Sequence, residues 1–232
     1  MDKRKNYGII LDTETANTIV EEDGTLEMNY VLPYDFGFAL IDSKGNIYKK
    51  FSFINSDIFC DEFELMKSAY YSKKIPQYIK DLANGKRQLK NTFEIRQIIS
   101  NIIKEYDCKF VMAHNARFDY RACNNIQRWT TKSKYRYFFP KDIEIWDTLK
   151  MANDVIAKMP TYQQFCFENG FVTKHKTPRP QLTAEVIYRF LTNDLTFAES
   201  HTGLEDVEIE LEIYKYCIKQ HKKMRKKLFE NF

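Results

Sequence analysis

Five side chains in this sequence could act together on a phosphodiester, although they lie far apart along the chain. Asp12 closes the apolar run Tyr7-Gly8-Ile9-Ile10-Leu11, and Glu14 follows two residues later. In a strand of period two, that spacing turns both carboxylates to one side. Held that close they repel one another, unless a cation neutralises them. Asp119 lies just past a second apolar run, Phe110-Val111-Met112-Ala113, on the first turn of a helical stretch. Asp206 stands near the start of the last helical stretch, five residues after His201, and the segment Ser200-His201-Thr202-Gly203 could swing the imidazole over the acids. Acids gathered at strand ends and helix starts suit two divalent ions about 3.5–4 Å apart, clamping the attacking and leaving oxygens of a phosphodiester. Hard oxygen donors favour Mg²⁺ or Mn²⁺ over zinc.

The elements that must position these groups are legible in the periodicity. Tyr7–Leu11, Phe36–Asp42 and Ile47–Phe53 read as three strands, with a turn at Ser43-Lys44-Gly45-Asn46. Ile95, Ile98, Ile99, Ile102 and Ile103 recur at helical spacing and predict an amphipathic helix over 92–106. Phe110–Ala113 and the segment from Ile143 to Asp147 read as further strands, separated by a helix from Ala116 to Trp129. A helix follows over 161–169, with Gly170 as its C-terminal cap. The last helix starts near Gly203 and carries the stripe Leu204, Val207, Leu211, Tyr214 and Ile218. The order predicts an α/β domain over residues 1–232, an antiparallel meander of three strands extended by parallel strands into a mixed five-stranded sheet flanked by helices. Residues 56–90 read as an inserted helical pair, and 203–228 as one basic C-terminal helix.

The 232 residues are 44% hydrophobic and 29% charged, with 7 Gly and 6 Pro, which excludes a disordered or fibrous chain. No apolar run is long enough to span a bilayer, and the N-terminus lacks a secretory signal, so the expectation is a cytoplasmic protein with no membrane partner. The five cysteines are widely spaced and read as reduced core residues rather than disulfide or zinc ligands. Seven of the 36 Lys and Arg fall between Lys215 and Lys227 with no acid among them, leaving 29 against 32 acids elsewhere. Lys73–Lys90 and Arg128–Lys141 are also basic. Such stretches suit an anionic polymer.

Three segments together carry a resemblance. Leu11-Asp12-Thr13-Glu14-Thr15, His114-Asn115-Ala116-Arg117-Phe118-Asp119 and His201-Thr202-Gly203-Leu204-Glu205-Asp206 resemble the motifs of the DEDDh 3′→5′ exonucleases. That family belongs to the ribonuclease H-like superfamily and includes the proofreading subunit of bacterial replicative polymerases. The superfamily's tyrosine branch has Tyr four residues before the last Asp, where this chain has Thr202, whereas His201 stands at the histidine branch's position. The resemblance spans residues 7–220 and implies a ribonuclease H-like fold. It implies that Asp12, Glu14, Asp119 and Asp206 hold two Mg²⁺ or Mn²⁺ ions and that His201 is the general base. By the same likeness Thr13, Thr15, Asn115 and Phe118 contact the terminal nucleotide, in DNA by preference and alternatively in RNA. Ala16-Asn17 stands where the family often has Thr-Gly, and Gly203 where a small Ala is usual, a change expected to be harmless.

Other residues admit blander roles. His114 reads as a hydrogen-bonding residue near a strand end, Asp147 as a helix N-cap, and His175 as a residue of a basic surface loop. The acids Glu205, Glu208, Glu210 and Glu212 are accounted for by the helix dipole. Tyr70, Tyr71, Trp129, Tyr135, Tyr137, Phe138 and Phe139 are interleaved with Lys and Arg, and one or two of them are expected to stack on unpaired bases. Competing functions are a polymerase-docking proofreading subunit, an RNA-trimming exoribonuclease, and a nucleic-acid-binding module that has lost catalysis.

Overall fold

The computed structural model describes residues 2, 4–17, 27–69 and 72–229. Tyr70, Tyr71 and most of the acidic stretch after Thr15 lie outside them. Strand β1 (Tyr7–Ala16) continues past its apolar run through Asp12 and Glu14, and pairs antiparallel with β2 (Leu32–Asp42). β2 pairs antiparallel with β3 (Ile47–Asn55). Asp42 organises the turn between them by accepting from the backbone N–H groups of Lys44 and Asn46, and Gly45 takes φ +82°.

Two single helical turns follow, α1 (Ser56–Phe59) and α2 (Phe63–Met66), then α3 (Ile75–Ala83) and β4 (Gln88–Lys90), which runs parallel to β3. Helix α4 (Thr92–Tyr106) has the bounds its isoleucine spacing predicts. Asn91 and Glu94 form a reciprocal capping box at its start. The chain continues through β5 (Phe110–Ala113), α5 (Arg117–Thr131), β6 (Glu144–Asp147), α6 (Thr148–Val155), α7 (Pro160–Glu168), α8 (Ala184–Thr192) and α9 (Gly203–Lys219). β5 runs parallel to β1, and β6 parallel to β5. The sheet order is β4-β3-β2-β1-β5-β6. It has six strands rather than the five that periodicity predicts, because β4 is only three residues long and sits inside the 56–90 segment.

Alternation along β1 splits the core in two. Ile9 and Leu11 face the layer built from α1 to α5, with Ile95, Ile99 and Phe138 in it, while Ile10 faces Met151, Val207 and Leu211 in the layer of α6 to α9. β2 is buried along its whole length because both layers cover it. Cys108, Cys123, Cys166 and Cys217 are buried as expected, whereas Cys60 at the end of α1 is exposed.

The C-terminal basic segment differs from the continuous helix expected over 203–228. α9 stops at Lys219, His221 takes φ +51°, and the chain turns back as an extended strap. The strap pairs with the free edge of β6: Asp147 N donates to Lys226 O (2.8 Å) and Leu228 N to Ile145 O (2.7 Å). Clustered Lys and Arg one turn apart would repel on a helix. The open strand edge satisfies their backbone groups instead, while Arg225 pairs with Asp154 and Lys227 with Glu144. Among the described residues no helix is long and apolar enough to cross a membrane.

Candidate active site

Two glycines set the approach of α9 to the sheet. Gly37 on β2 lies opposite Asp12 in register, and a Cβ built there would fall 1.9 Å from the Gly203 carbonyl carbon. A Cβ on Gly203 would fall 2.5 Å from Gly37 N and 3.2 Å from Asp12 O. Backbone therefore rests on backbone, and the first turn of α9 sits beside Asp12. Asp206 is brought to β1 by this contact. Gly203 is thus not freely exchangeable with Ala in this chain.

The five predicted groups meet in one cleft of about 740 Å³, lined by Asp12, Glu14, Asp119, His201 and Asp206 and also by Thr13, Asn115 and Phe118. One carboxylate or imidazole atom from each of Glu14, His201 and Asp206 lies within 4.8 Å of the others, close enough to share a metal ion. Thr13 fixes Asp119, whose Oδ1 accepts from the Thr13 N–H (3.1 Å) and hydroxyl (2.8 Å). Asp206 Oδ2 accepts from Thr202 N (2.9 Å) and its Oδ1 from the Ser200 hydroxyl (3.2 Å). The loop from Thr173 to Thr183 supplies another wall through Gln181 and Leu182, while its His175 is exposed.

Electrostatics mark the cleft as a place for positive charge. Burial, then the charge of Glu210, raises Asp12 well above the usual carboxylate range. Burial and Asp206 push Glu14 up to about 9. Asp119 rises to about 7 through burial, which outweighs the Thr13 hydrogen bonds, and Asp206 rises to about 7 through burial and Glu199. Burial and the nearby Lys74 lower His201, so its imidazole is neutral at pH 7. Hard carboxylate oxygens held together at this cost suit a divalent cation such as Mg²⁺ or Mn²⁺.

No protein-family model matches the sequence, and no curated protein does. Solved structures do match in fold. A full-length 3′-exonuclease aligns with a TM-score of 0.61 at 15% identity, over 97% of this chain and 88% of that one. The nuclease domain of 3′hExo, a DEDDh family member bound to rAMP, aligns at 0.53 and 16% identity, over 98% and 100%. E. coli exonuclease I in complex with a dT13 oligonucleotide aligns at 0.55 and 17% identity, over 91% of this chain and 40% of that one. The fold is that of the DEDDh exonucleases.

Within this DEDDh exonuclease fold the remaining expectations can be placed residue by residue. His114 hydrogen-bonds through Nδ1 to the Thr148 hydroxyl (2.9 Å) and through Nε2 to Leu182 O (2.7 Å), and burial lowers its pKa. It ties β5 to the loop that walls the cleft. Asp147 caps α6 by accepting from Leu149 N (3.0 Å) and also holds Asn115 N (3.1 Å), where Asn115 takes φ +60°. Thr15 is buried and is not among the residues that line the cleft. Phe138 and Phe139 are core residues. Trp129, Tyr135 and Tyr137 are exposed with Lys132, Lys134 and Arg128 over their rings.

The 56–90 segment reaches the site, which local periodicity does not reveal. Lys74 Nζ donates to His201 O (3.3 Å). Arg87, only 2% exposed, bonds Asp35 on β2 (3.1 Å), Asp81 on α3 (3.1 Å), Ser52 on β3 (2.7 Å) and Glu205 on α9 (2.8 Å). Asp35 also accepts from Gly203 N (3.0 Å). Against the effect of burial, hydrogen bonds from Lys86 and Thr202 and the charge of Arg87 hold Glu205 down at about 2. The residue next to Asp206 is thereby locked, as an ion, to the 56–90 segment.

Proposed function

We propose that the protein is a metal-dependent 3′→5′ exonuclease that releases nucleoside monophosphates from the 3′ end of DNA or RNA. The observation that carries this reading is the convergence of Asp12, Glu14, Asp119, Asp206 and His201, from three separated segments, into one cleft of a DEDDh exonuclease fold. In this reading the four carboxylates hold two Mg²⁺ or Mn²⁺ ions. When bound, such ions neutralise charge on the phosphodiester and lower the pKa of water. Asp12 and Glu14 are presented by one strand, Asp119 is oriented by Thr13, and Asp206 by Thr202 and Ser200. His201, neutral at pH 7, accepts the proton of the attacking water at an imidazole nitrogen. Phe118 and Asn115 line the cleft beside these acids and contact the terminal nucleotide in this reading. The exposed Arg128–Lys141 segment, with its three solvent-facing rings, suits unpaired nucleic acid further along the strand.

The test is a gel assay with 5′-labelled single-stranded DNA, duplex DNA and RNA, each in Mg²⁺, Mn²⁺ and excess EDTA. A ladder shortening from the 3′ end, present with metal and lost in EDTA, is expected. Full activity in EDTA, or no product from any of the three substrates, would overturn the reading. The rank of the substrates decides between DNA and RNA.

A further inference from the structure

A second cavity, of about 500 Å³, opens between the C-terminal end of α5, the start of α4 and the turns α1 and α2. Gln127 lies in its wall and is only 5% exposed. Its carboxamide makes no hydrogen bond among the described residues, yet neither polar atom is sealed from solvent, so both open on this cavity. A buried amide without a partner is costly. Packing does not require one, since Ala122, Cys123 and Ile126 show that α5 readily buries apolar side chains. The charged lining is balanced, Asp57, Asp61 and Glu62 against Arg96, Lys132 and Arg136, which favours an uncharged polar group over a phosphate inside. Two exposed rings, Phe93 and Trp129, also line it. Along the same edge, Arg128, Lys132, Lys134 and Arg136 have no carboxylate partner among the described residues.

The cavity stands a short way from the cleft. Gln127 follows Asp119 by eight residues on α5, about 12 Å along the helix axis. Across the sheet, Asp35 pairs with Glu14 on β1 and with Ile54 on β3, and Asp57 follows three residues later, so the lateral separation is about 10 Å. A stacked strand advances about 3.4 Å per nucleotide, so one with its 3′ end at the acids reaches the cavity at about its fourth nucleotide. We propose that the cavity holds one unpaired base of the substrate strand there, with Gln127 pairing to its edge and Trp129 stacking on its face. Unpaired bases are held by this combination of edge hydrogen bonds and aromatic stacking. A glutamine carboxamide makes its bidentate match with N6 and N7 of adenine, so adenine is the base expected. The flanking phosphates run past Arg128, Lys132, Lys134 and Arg136. The inference rests on the exonuclease reading above and adds to it a base contact at a set distance from the chemistry.

The test uses labelled oligo-dT strands of two to ten nucleotides, and dT ten-mers carrying one dA at each position in turn. Binding is measured by fluorescence anisotropy in EDTA, and KM for release of the first nucleotide in Mn²⁺. Affinity is expected to step up near four nucleotides, and KM to be lowest with dA about four from the 3′ end. Trp129→Ala should weaken ten-mers roughly 5- to 150-fold, the range for loss of one stacked base, and dinucleotides far less. Gln127→Leu should abolish the preference for dA. Because Trp129 is exposed, its variant reports even if Gln127→Leu fails to fold. Affinity independent of length, or Trp129→Ala equal to the wild type on ten-mers, would overturn the proposal and leave this surface to a protein partner. A dA preference that survives Gln127→Leu would remove Gln127 from the site. The two readings fail separately. A length step in binding without hydrolysis in Mn²⁺ sinks the exonuclease and keeps the base site, whereas hydrolysis with length-independent affinity and KM does the reverse.

Discussion

Removing divalent cation should destabilise the protein, and the loss should grow with pH. In the metal-free fold Asp119 and Asp206 titrate at about 7 and Glu14 at about 9, against roughly 4 for carboxyls in an unfolded chain. Between these limits the folded protein holds protons that the unfolded chain has released. The stability they contribute is full below the unfolded value and lost as pH rises through the folded ones. Each retained proton is worth about 1.4 kcal/mol per pH unit. Counting Asp119 and Asp206 together as a single proton gives roughly 3 kcal/mol between about pH 5 and pH 7. For a chain of this size that is about 5–10 °C in melting temperature. Glu14 extends the decline toward pH 9. A bound cation takes the carboxylates as anions, so the loaded protein should not show this fall. Burial also lowers His114, which acts in the opposite sense, but it does so in both forms and cancels in their difference. The assay is thermal unfolding in excess Mg²⁺ and in excess EDTA across this pH range. A gap between the two curves that stays constant with pH would refute the argument, as would a gap that narrows.

His201→Ala should lower turnover by roughly 10²- to 10⁴-fold, with Mn²⁺ affinity by calorimetry nearly unchanged; wild-type turnover at pH 7 would remove this histidine from the mechanism. Arg87→Met should cost about 3–5 kcal/mol in denaturant unfolding, because buried Asp35 would lose its guanidinium partner and Asp81 would keep only the more distant Lys86 (3.9 Å) as a counter-charge. Gly203→Ala should cost about 1–3 kcal/mol and slow hydrolysis, since its Cβ must push α9 off Gly37; an unaltered melting temperature would show that the contact yields freely. Deleting residues 222–232 should uncover the β6 edge and the Leu228 site, lowering the melting temperature and promoting self-association in gel filtration.

Much of the frame was legible because its signals are local. The Asn91 capping box and the isoleucine spacing give α4 its bounds, and the alternation at Asp12 and Glu14 turns both acids into the cleft. The three motifs bring the site together because each lies at the end of a strand or the start of a helix. What was not legible depends on partners distant in sequence. Arg87 meets Asp35 and Glu205 across 52 and 118 positions, and nothing in its own neighbourhood distinguishes it from the other basic residues of its stretch. The strap over β6 is hidden because charge repulsion on a helix shows only where the helix fails, not where the chain goes instead. Thr15 lies one strand period beyond Thr13 and does not line the cleft, which membership of the same motif does not reveal.

The ion cluster around Arg87 also limits how such a domain can diverge. One guanidinium is shared by three acids that belong to β2, α3 and the first turn of α9. Shortening the 56–90 segment so that Arg87 is lost would strand Asp35 and Glu205 beside the helix start that carries Asp206. Neutralising one acid alone would likewise unbalance the other two. The changes therefore have to be concerted, and a relative without that segment should carry uncharged residues at the positions of Asp35 and Glu205. Substitutions that look independent along the chain would then be inherited as a block, with the 56–90 segment acting as a fixed counterpart of the third motif rather than as a removable ornament.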